Sequence, residues 1–203
     1  MEFKKIQLNG FKSFAEKADF LIEDGLTGIV GPNGCGKSNI VESLRWAMGE
    51  TSAKSMRGSG MEDVIFSGTS NKASKNIAEV TIEVENKDKE GPIQYREHDQ
   101  VQIKRKIEKD KGSKFYINGK EVRARDAQMF FADLSTGAHS PSMISQGRIG
   151  ALVTAKPTDR RAILEEAAGI SGLHVRRHEA ELRLGAAENN LKRADELRRQ
   201  QEK

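Results

Sequence analysis

An α/β lobe with an exposed helical arm is what this sequence predicts, on three observations. A glycine-rich turn ending in Gly36-Lys37-Ser38 stands between a short apolar run, Leu26 to Val30, and a helical apolar pattern. Two later segments, Ala78 to Glu85 and Val101 to Ile107, alternate from residue to residue, as half-buried antiparallel strands do. From Leu173 onward the chain is polar, helical in period and free of turn signals.

The elements follow in order. Phe3 to Leu8 reads as a strand closed by Asn9-Gly10, and Ala18 to Ile22 as a second. Leu26 to Val30 reads as a core strand, parallel in its sheet, that feeds the glycine turn. Ile40, Val41, Leu44, Ala47 and Met48 recur at three and four, which predicts a helix from Ser38 to Gly49 with Trp46 in the core. Residues 51 to 76 read mostly as loop around the apolar island Val64-Ile65-Phe66. Val80, Ile82 and Val84 share one face of the next strand. Val101, Ile103, Arg105 and Ile107 repeat the pattern. Phe115 to Ile117, then Asn118-Gly119, then Glu121-Val122 is a hairpin signal. Asp126 to Leu134 reads as a short helix and 135–150 as a functional loop. Pro157 suits the first turn of a helix running to about Ala168. Leu173, Ala180, Leu184, Ala187, Leu191 and Ala194 then form a coiled-coil stripe, interrupted by Arg177. The expected division is a lobe over 1–170 and a helical arm over 171–203, with the chain ending inside a helix as a fragment would.

Of the 203 residues, 36% are apolar and 32% charged, lean for a compact domain and consistent with an extended arm. The net charge of +4 permits a nucleic-acid partner without demanding one. The single cysteine, Cys35, cannot form an internal disulfide, so nothing suggests secretion. No apolar run reaches the roughly 18 residues of a membrane span. A cytoplasmic protein with no membrane partner is expected.

Gly31-Pro32-Asn33-Gly34-Cys35-Gly36-Lys37-Ser38 fits G-x-x-x-x-G-K-[ST]. Glycines let backbone N–H groups turn inward around a phosphate, and the following helix offers its positive N-terminus to the same anion. Lys37 brings a mobile charge to the β- and γ-phosphates, and Ser38 a hydroxyl to Mg²⁺. Cys35 reads as a small residue where only the backbone works.

Four further segments narrow the choice among phosphate-loop proteins. GFKSF (Gly10 to Phe14), GPNGCGKSN (Gly31 to Asn39), SAKSMRG with MEDVIF (Ser52 to Phe66), and ISQGRI with KPTDRRAILEEAAGI (Ile144 to Ile170) together resemble the SMC (structural maintenance of chromosomes) family, in a form that looks bacterial. The resemblance implies an ABC-type P-loop ATPase lobe, with a mixed sheet and an antiparallel subdomain, continued by a coiled-coil helix. It implies ATP and Mg²⁺ as cofactors, held by Gly31 to Ser38 and by Asn39. It gives Gln146 a contact to Mg²⁺ and the attacking water, Arg57 the role of an arginine finger in cis, and Lys12 an approach to the phosphates. Arg123 and Arg125 match positions where the family carries DNA-contacting residues; against that, Gly60 stands where relatives often have a basic residue.

No apolar strand ending in Asp-Glu follows residue 150, and no Ser-Gly-Gly signature is present. In the family these lie in a C-terminal lobe. The partners implied are therefore that lobe, a second head, a kleisin subunit at the neck, and double-stranded DNA bound without sequence preference. The fragment alone is expected to be inactive. A related recombinational DNA-repair ATPase is the alternative within the enzyme class; EEAAGI followed by a coil favours SMC. A non-hydrolysing fragment that binds DNA or kleisin is the alternative from another class. His174 and His178, four apart on a helix, read as a solvated face and not as metal ligands.

Overall fold

The computed structural model describes residues 1–87, 89, 92–134, 153, 155–168 and 171–201. Its sheet has six strands in the order β2-β1-β3-β4-β5-β6, every neighbouring pair antiparallel. The strands are β1 (Glu2–Asn9), β2 (Ala18–Leu21), β3 (Ile77–Glu85), β4 (Gln100–Glu108), β5 (Gly112–Ile117) and β6 (Lys120–Val122). Alternation fixes the register: Ile6, Ile82, Ile103 and Ile117 pair in one row across β1, β3, β4 and β5, all buried. A one-residue slip would turn each of them to the polar face. The β5–β6 turn places Asn118 and Gly119 at φ 48 and 77, the two positive values that a tight hairpin of matching twist requires.

Helix α1 (Lys37–Ala47) covers β3 and β4, and α2 (Ala124–Asp133) covers β5. Trp46, Phe11, Phe130 and Phe131 are fully buried between the layers. At the end of α1, Gly49 takes φ 105. A Cβ there would come 2.4 Å from Gln128 of α2, whose amide donates to the Gly49 carbonyl at 2.8 Å. Short 3-10 turns at Lys54–Met56 and Met61–Val64 organise the stretch expected to be mostly loop.

Helix α3 (Pro157–Ala167) begins at its proline, as predicted, and α4 spans Ser171–Gln201, about 46 Å at 1.5 Å per residue. Leu184 and Leu191 of the predicted stripe are exposed. The side chains of Leu173, His174 and His178 lie outside the described set.

One expectation is corrected. Leu26 to Val30 forms no strand, and no described strand is parallel to its neighbour. Leu26 is 99% and Val30 94% exposed. A β-prone segment becomes a strand only when a neighbour accepts its backbone hydrogen bonds, and none of the described strands pairs with it. The basic triplet at 104–106 is divided between the two faces, as its place in an alternating strand predicts. Lys104 and Lys106 lie on the sheet's outer face, whereas Arg105 is 3% exposed within the core.

Candidate phosphate-binding site

Residues 31–36 form an irregular turn that runs directly into α1. Gly36, the N-cap, has φ 97, and a Cβ there would sit 2.4 Å from the Ser13 hydroxyl. Glycine thus meets two demands at once, the left-handed backbone and the close pass of the 10–14 turn. The first turn of α1 carries no acidic side chain, so the positive end of its dipole is uncompensated locally. Ser38 is exposed at that end. The Lys37 ammonium folds back across the turn and donates to the Gly31 carbonyl and, at 2.7 Å, to that of Pro32. Cys35 is exposed, with its sulfur 3.7 Å from that ammonium.

Two other segments are tied to the flank of α1. The 10–14 turn is pinned to the 64–66 segment by Lys12 N donating to Val64 O at 2.7 Å and by Phe66 N donating to Gly10 O at 2.8 Å. From α1, the Asn39 amide donates to Ser13 Oγ at 2.9 Å, while its oxygen accepts from Arg57 Nη2 at 3.1 Å. One turn further on, the Glu42 carboxylate takes Arg57 on one oxygen and Lys12 on the other. Lys12 also donates to the Met56 carbonyl. The two cations named from the sequence, Lys12 and Arg57, therefore converge on a residue the sequence reading passed over. Its signal was a lone carboxylate four places after Ser38 on the helix, within reach of the same face.

The loop bearing Arg57 has its own clasp. The Asp63 carboxylate accepts from Ser59 N, Ser59 Oγ and Gly60 N at 2.6, 2.8 and 2.9 Å. These donors, the Gly60 amide foremost, hold its carboxyl below the usual aspartate range. Next to it, the Glu62 carboxylate accepts from the Asp110 amide in the β4–β5 turn at 3.0 Å. The Arg57 loop is thus joined to α1 on one side and to the sheet on the other.

Arg123 directly precedes α2 and Arg125 lies in its first turn; both are exposed. Cations at a helix N-terminus oppose the helix dipole, so helix stability does not explain them. The Asp126 carboxylate, accepting from Arg123 N at 3.2 Å, supplies the favourable charge there. Gln146 lies outside the described residues, as does the whole ISQGRI segment.

The donor set fits a nucleotide's phosphates. It comprises helix N-terminal amides, the Lys37 ammonium and two cations held at the flank. Among the described residues no group of three acidic, histidine or cysteine side chains could cage a metal. A divalent ion would be shared between the Ser38 hydroxyl and phosphate oxygens, the usual manner for Mg²⁺.

Comparison with known proteins finds relatives over nearly the whole chain. Residues 2–148 match the model of the RecF/RecN/SMC N terminal domain. The chain is 56% identical over 197 residues to the chromosome partition protein Smc of Rhodopseudomonas palustris, covering 97% of this chain and 17% of that protein. The Smc of Myxococcus xanthus is 43% identical over 205 residues, again with 17% of its length covered. A solved SMC ATPase chain, studied for ATP-driven dimerisation and DNA-stimulated activation, superposes with a TM-score of 0.70 at 32% identity, covering 82% of this chain and 99% of that one. The Smc head of Pyrococcus furiosus, with an extended coiled coil and bound to the C-terminal domain of ScpA, gives 0.77 at 32% identity, covering 97% of this chain and 49% of that one.

Proposed function

Since this chain belongs to the RecF/RecN/SMC N-terminal domain family, as the N-terminal lobe of an SMC head, we propose that it binds ATP and Mg²⁺ through residues 31–39 and serves a chromosome-organising ATPase. The observation that carries the reading is the glycine turn entering α1 with Lys37 across it and Lys12 and Arg57 held at its flank. The relatives' shared name favours chromosome partition over the related repair ATPases.

The chain spans 17% of the length of the curated relatives it matches, and turnover belongs to a larger assembly. Water activation needs an apolar strand ending in a catalytic carboxylate, and a signature loop, and neither pattern occurs after residue 150. A C-terminal head lobe would supply both. The exposed run at Leu26, Ile29 and Val30, beside the phosphate loop, suits pairing with a strand of that lobe. A second head would close over the nucleotide, with Gln146 reaching the Mg²⁺ and the attacking water. We assign 1–170 to the head and 171–203 to the neck, where the exposed Leu184 and Leu191 suit a returning coil helix and a kleisin subunit. This machine would work in the cytoplasm on the nucleoid.

The test is reconstitution. Steady-state phosphate release is expected to be negligible from this chain alone and to appear when an SMC C-terminal head lobe is added. Lys37→Ala should abolish nucleotide binding in that complex. Mg-dependent turnover by the isolated chain would refute the shared-site reading. An inert complex that still binds DNA or kleisin would favour a non-hydrolysing module.

Arg123 and Arg125 are proposed to meet DNA phosphates on engaged heads. Changing both to Glu is expected to weaken duplex binding and to flatten the plot of log affinity against log salt by about 2, since each lost phosphate contact removes about 0.9 from the slope. An unchanged slope in an ATP-trapped dimer would remove these residues from the DNA surface.

A further inference from the structure

We propose that Glu42 is a positioning residue of this phosphate site, whose carboxylate holds Lys12 and Arg57 together at the flank of α1 and so sets where both cations stand relative to a bound triphosphate. The inference rests on the reading of Arg57 and Lys12 as phosphate-directed groups and names the residue they act through.

The geometry is specific. Glu42 is only 9% exposed, and its two oxygens are divided between two cations from distant parts of the chain. Residues 12 and 57 also share a backbone feature. Lys12 has φ 47 and Arg57 φ 55, a left-handed conformation that non-glycine residues avoid unless their surroundings impose it. For Arg57 the surroundings include the αL cap of the Lys54–Met56 turn, with its amide donating to Lys54 O at 3.0 Å. The side chains then meet at one carboxylate on the helix that begins at the phosphate loop. Ser38, Asn39 and Glu42 fall on one face of that helix by their spacing of three and four. Asn39 completes the arrangement by accepting from Arg57 at 3.1 Å while donating to Ser13. A displacement of α1 is thereby transmitted to both cations together.

The chemistry calls for such a device. A flexible arginine with a 59% exposed side chain gains little in rate unless it is delivered to the transferring phosphate in a fixed orientation. A buried carboxylate can fix it, at the cost of a negative charge close to the phosphates. That cost gives the proposal its signature. Removing the charge should loosen the cations, slowing hydrolysis, while relieving repulsion of the triphosphate, so that ATP binds as well or better. A merely structural pin would show the opposite coupling, with binding and rate declining together.

The experiment uses the full-length protein and measures ATP affinity by equilibrium titration beside single-turnover hydrolysis. Glu42→Gln keeps the side-chain size and loses the charge. It is expected to slow hydrolysis by up to about a hundredfold, the scale of a misplaced catalytic group, with ATP affinity unchanged or tighter. Glu42→Asp, which keeps the charge on a shorter arm, should fall between Gln and wild type. In an Arg57→Ala background, Glu42→Gln should have a much smaller effect, because most of its action passes through Arg57. Wild-type hydrolysis by Glu42→Gln beside a crippled Arg57→Ala overturns the role of Glu42 alone. Parallel loss of affinity and rate, or an undiminished effect in the Arg57→Ala background, overturns it as well. Wild-type hydrolysis by Arg57→Ala overturns the functional reading of Arg57, and the proposal with it.

Discussion

Arg57→Ala in a complete head is expected to lower ATP hydrolysis by about a thousandfold, the lower end of what an arginine finger contributes, while leaving ATP affinity nearly unchanged. The asymmetry follows from where the charge is. Ground-state phosphates are already met by the N-terminal amides of α1, by its uncompensated dipole and by Lys37. Arg57 enters from a separate loop and is engaged by Asn39 and Glu42. Its planar, always-charged fork is suited to charge that develops on the γ-phosphate during transfer. Loss of an interaction made only in the transition state lowers the rate without weakening binding. The check is nucleotide titration beside single-turnover hydrolysis on the same protein. A variant that cannot bind ATP would make Arg57 a ground-state anchor. One that hydrolyses at the wild-type rate would leave the loop a resemblance in sequence and not in role. DNA stimulation should also fall, since Glu62 ties the same loop to the Asp110 turn of the sheet.

Where local chemistry decides structure, the sequence was sufficient. Asn118-Gly119 had one economical conformation, and the hairpin adopts it. Alternation at 78–85 and 101–107 placed the apolar side chains of two central strands on the buried face, although Thr81 on the opposite face is buried too. Gly36-Lys37-Ser38 defined the start of α1 because glycine tolerates the left-handed cap that precedes it. The failures share a cause, which is dependence on a distant partner. Leu26 to Val30 has the composition of a strand, but strand formation needs a neighbour, and composition does not report whether one is present. Glu42 is unremarkable within IVESLRW until Lys12 and Arg57 arrive from 30 residues before it and 15 after. Asp63 becomes a clasp only when the 58–60 turn bends over it. A carboxylate's partners are tertiary facts, invisible to periodicity.

Arg105 gives the largest expected effect on stability. In the alternating pattern it occupies an inward position, between Ile103 and Ile107 on β4, where an arginine is seldom fully buried unless partnered. The pattern decided correctly. Its guanidinium lies between the Trp46 and Phe115 rings, 4.5 and 4.6 Å from their centroids. Nη1 donates to the Trp46 and Glu50 carbonyls and Nε to Ser113 Oγ, all at 2.7 Å. The side chain therefore closes the C-terminal end of α1 onto the sheet, supplying the cation that a helix C-terminus favours. Burial pushes its pKa down to about 10, against the attraction of the nearby Glu50, so it remains charged at neutral pH. Desolvating a guanidinium is costly, and the acceptors and rings around it offset that cost. Arg105→Met fills the space but leaves two carbonyls and a hydroxyl without their donor, and leaves Glu50 with Arg45, at 3.0 Å, as its charged partner. The expected loss is about 3–5 kcal/mol, the usual result of removing one partner from a buried charged network. Arg105→Lys keeps the charge but not the planar fork, so it should lose the stacking and part of the hydrogen bonding, about half as much. Urea unfolding measures both, provided the slope m is unchanged. A Met variant within about 1 kcal/mol of wild type would mean that apolar packing replaces the network, as happens when a buried ion pair is exchanged whole for hydrophobes. Arg105 would then orient α1 without stabilising the lobe.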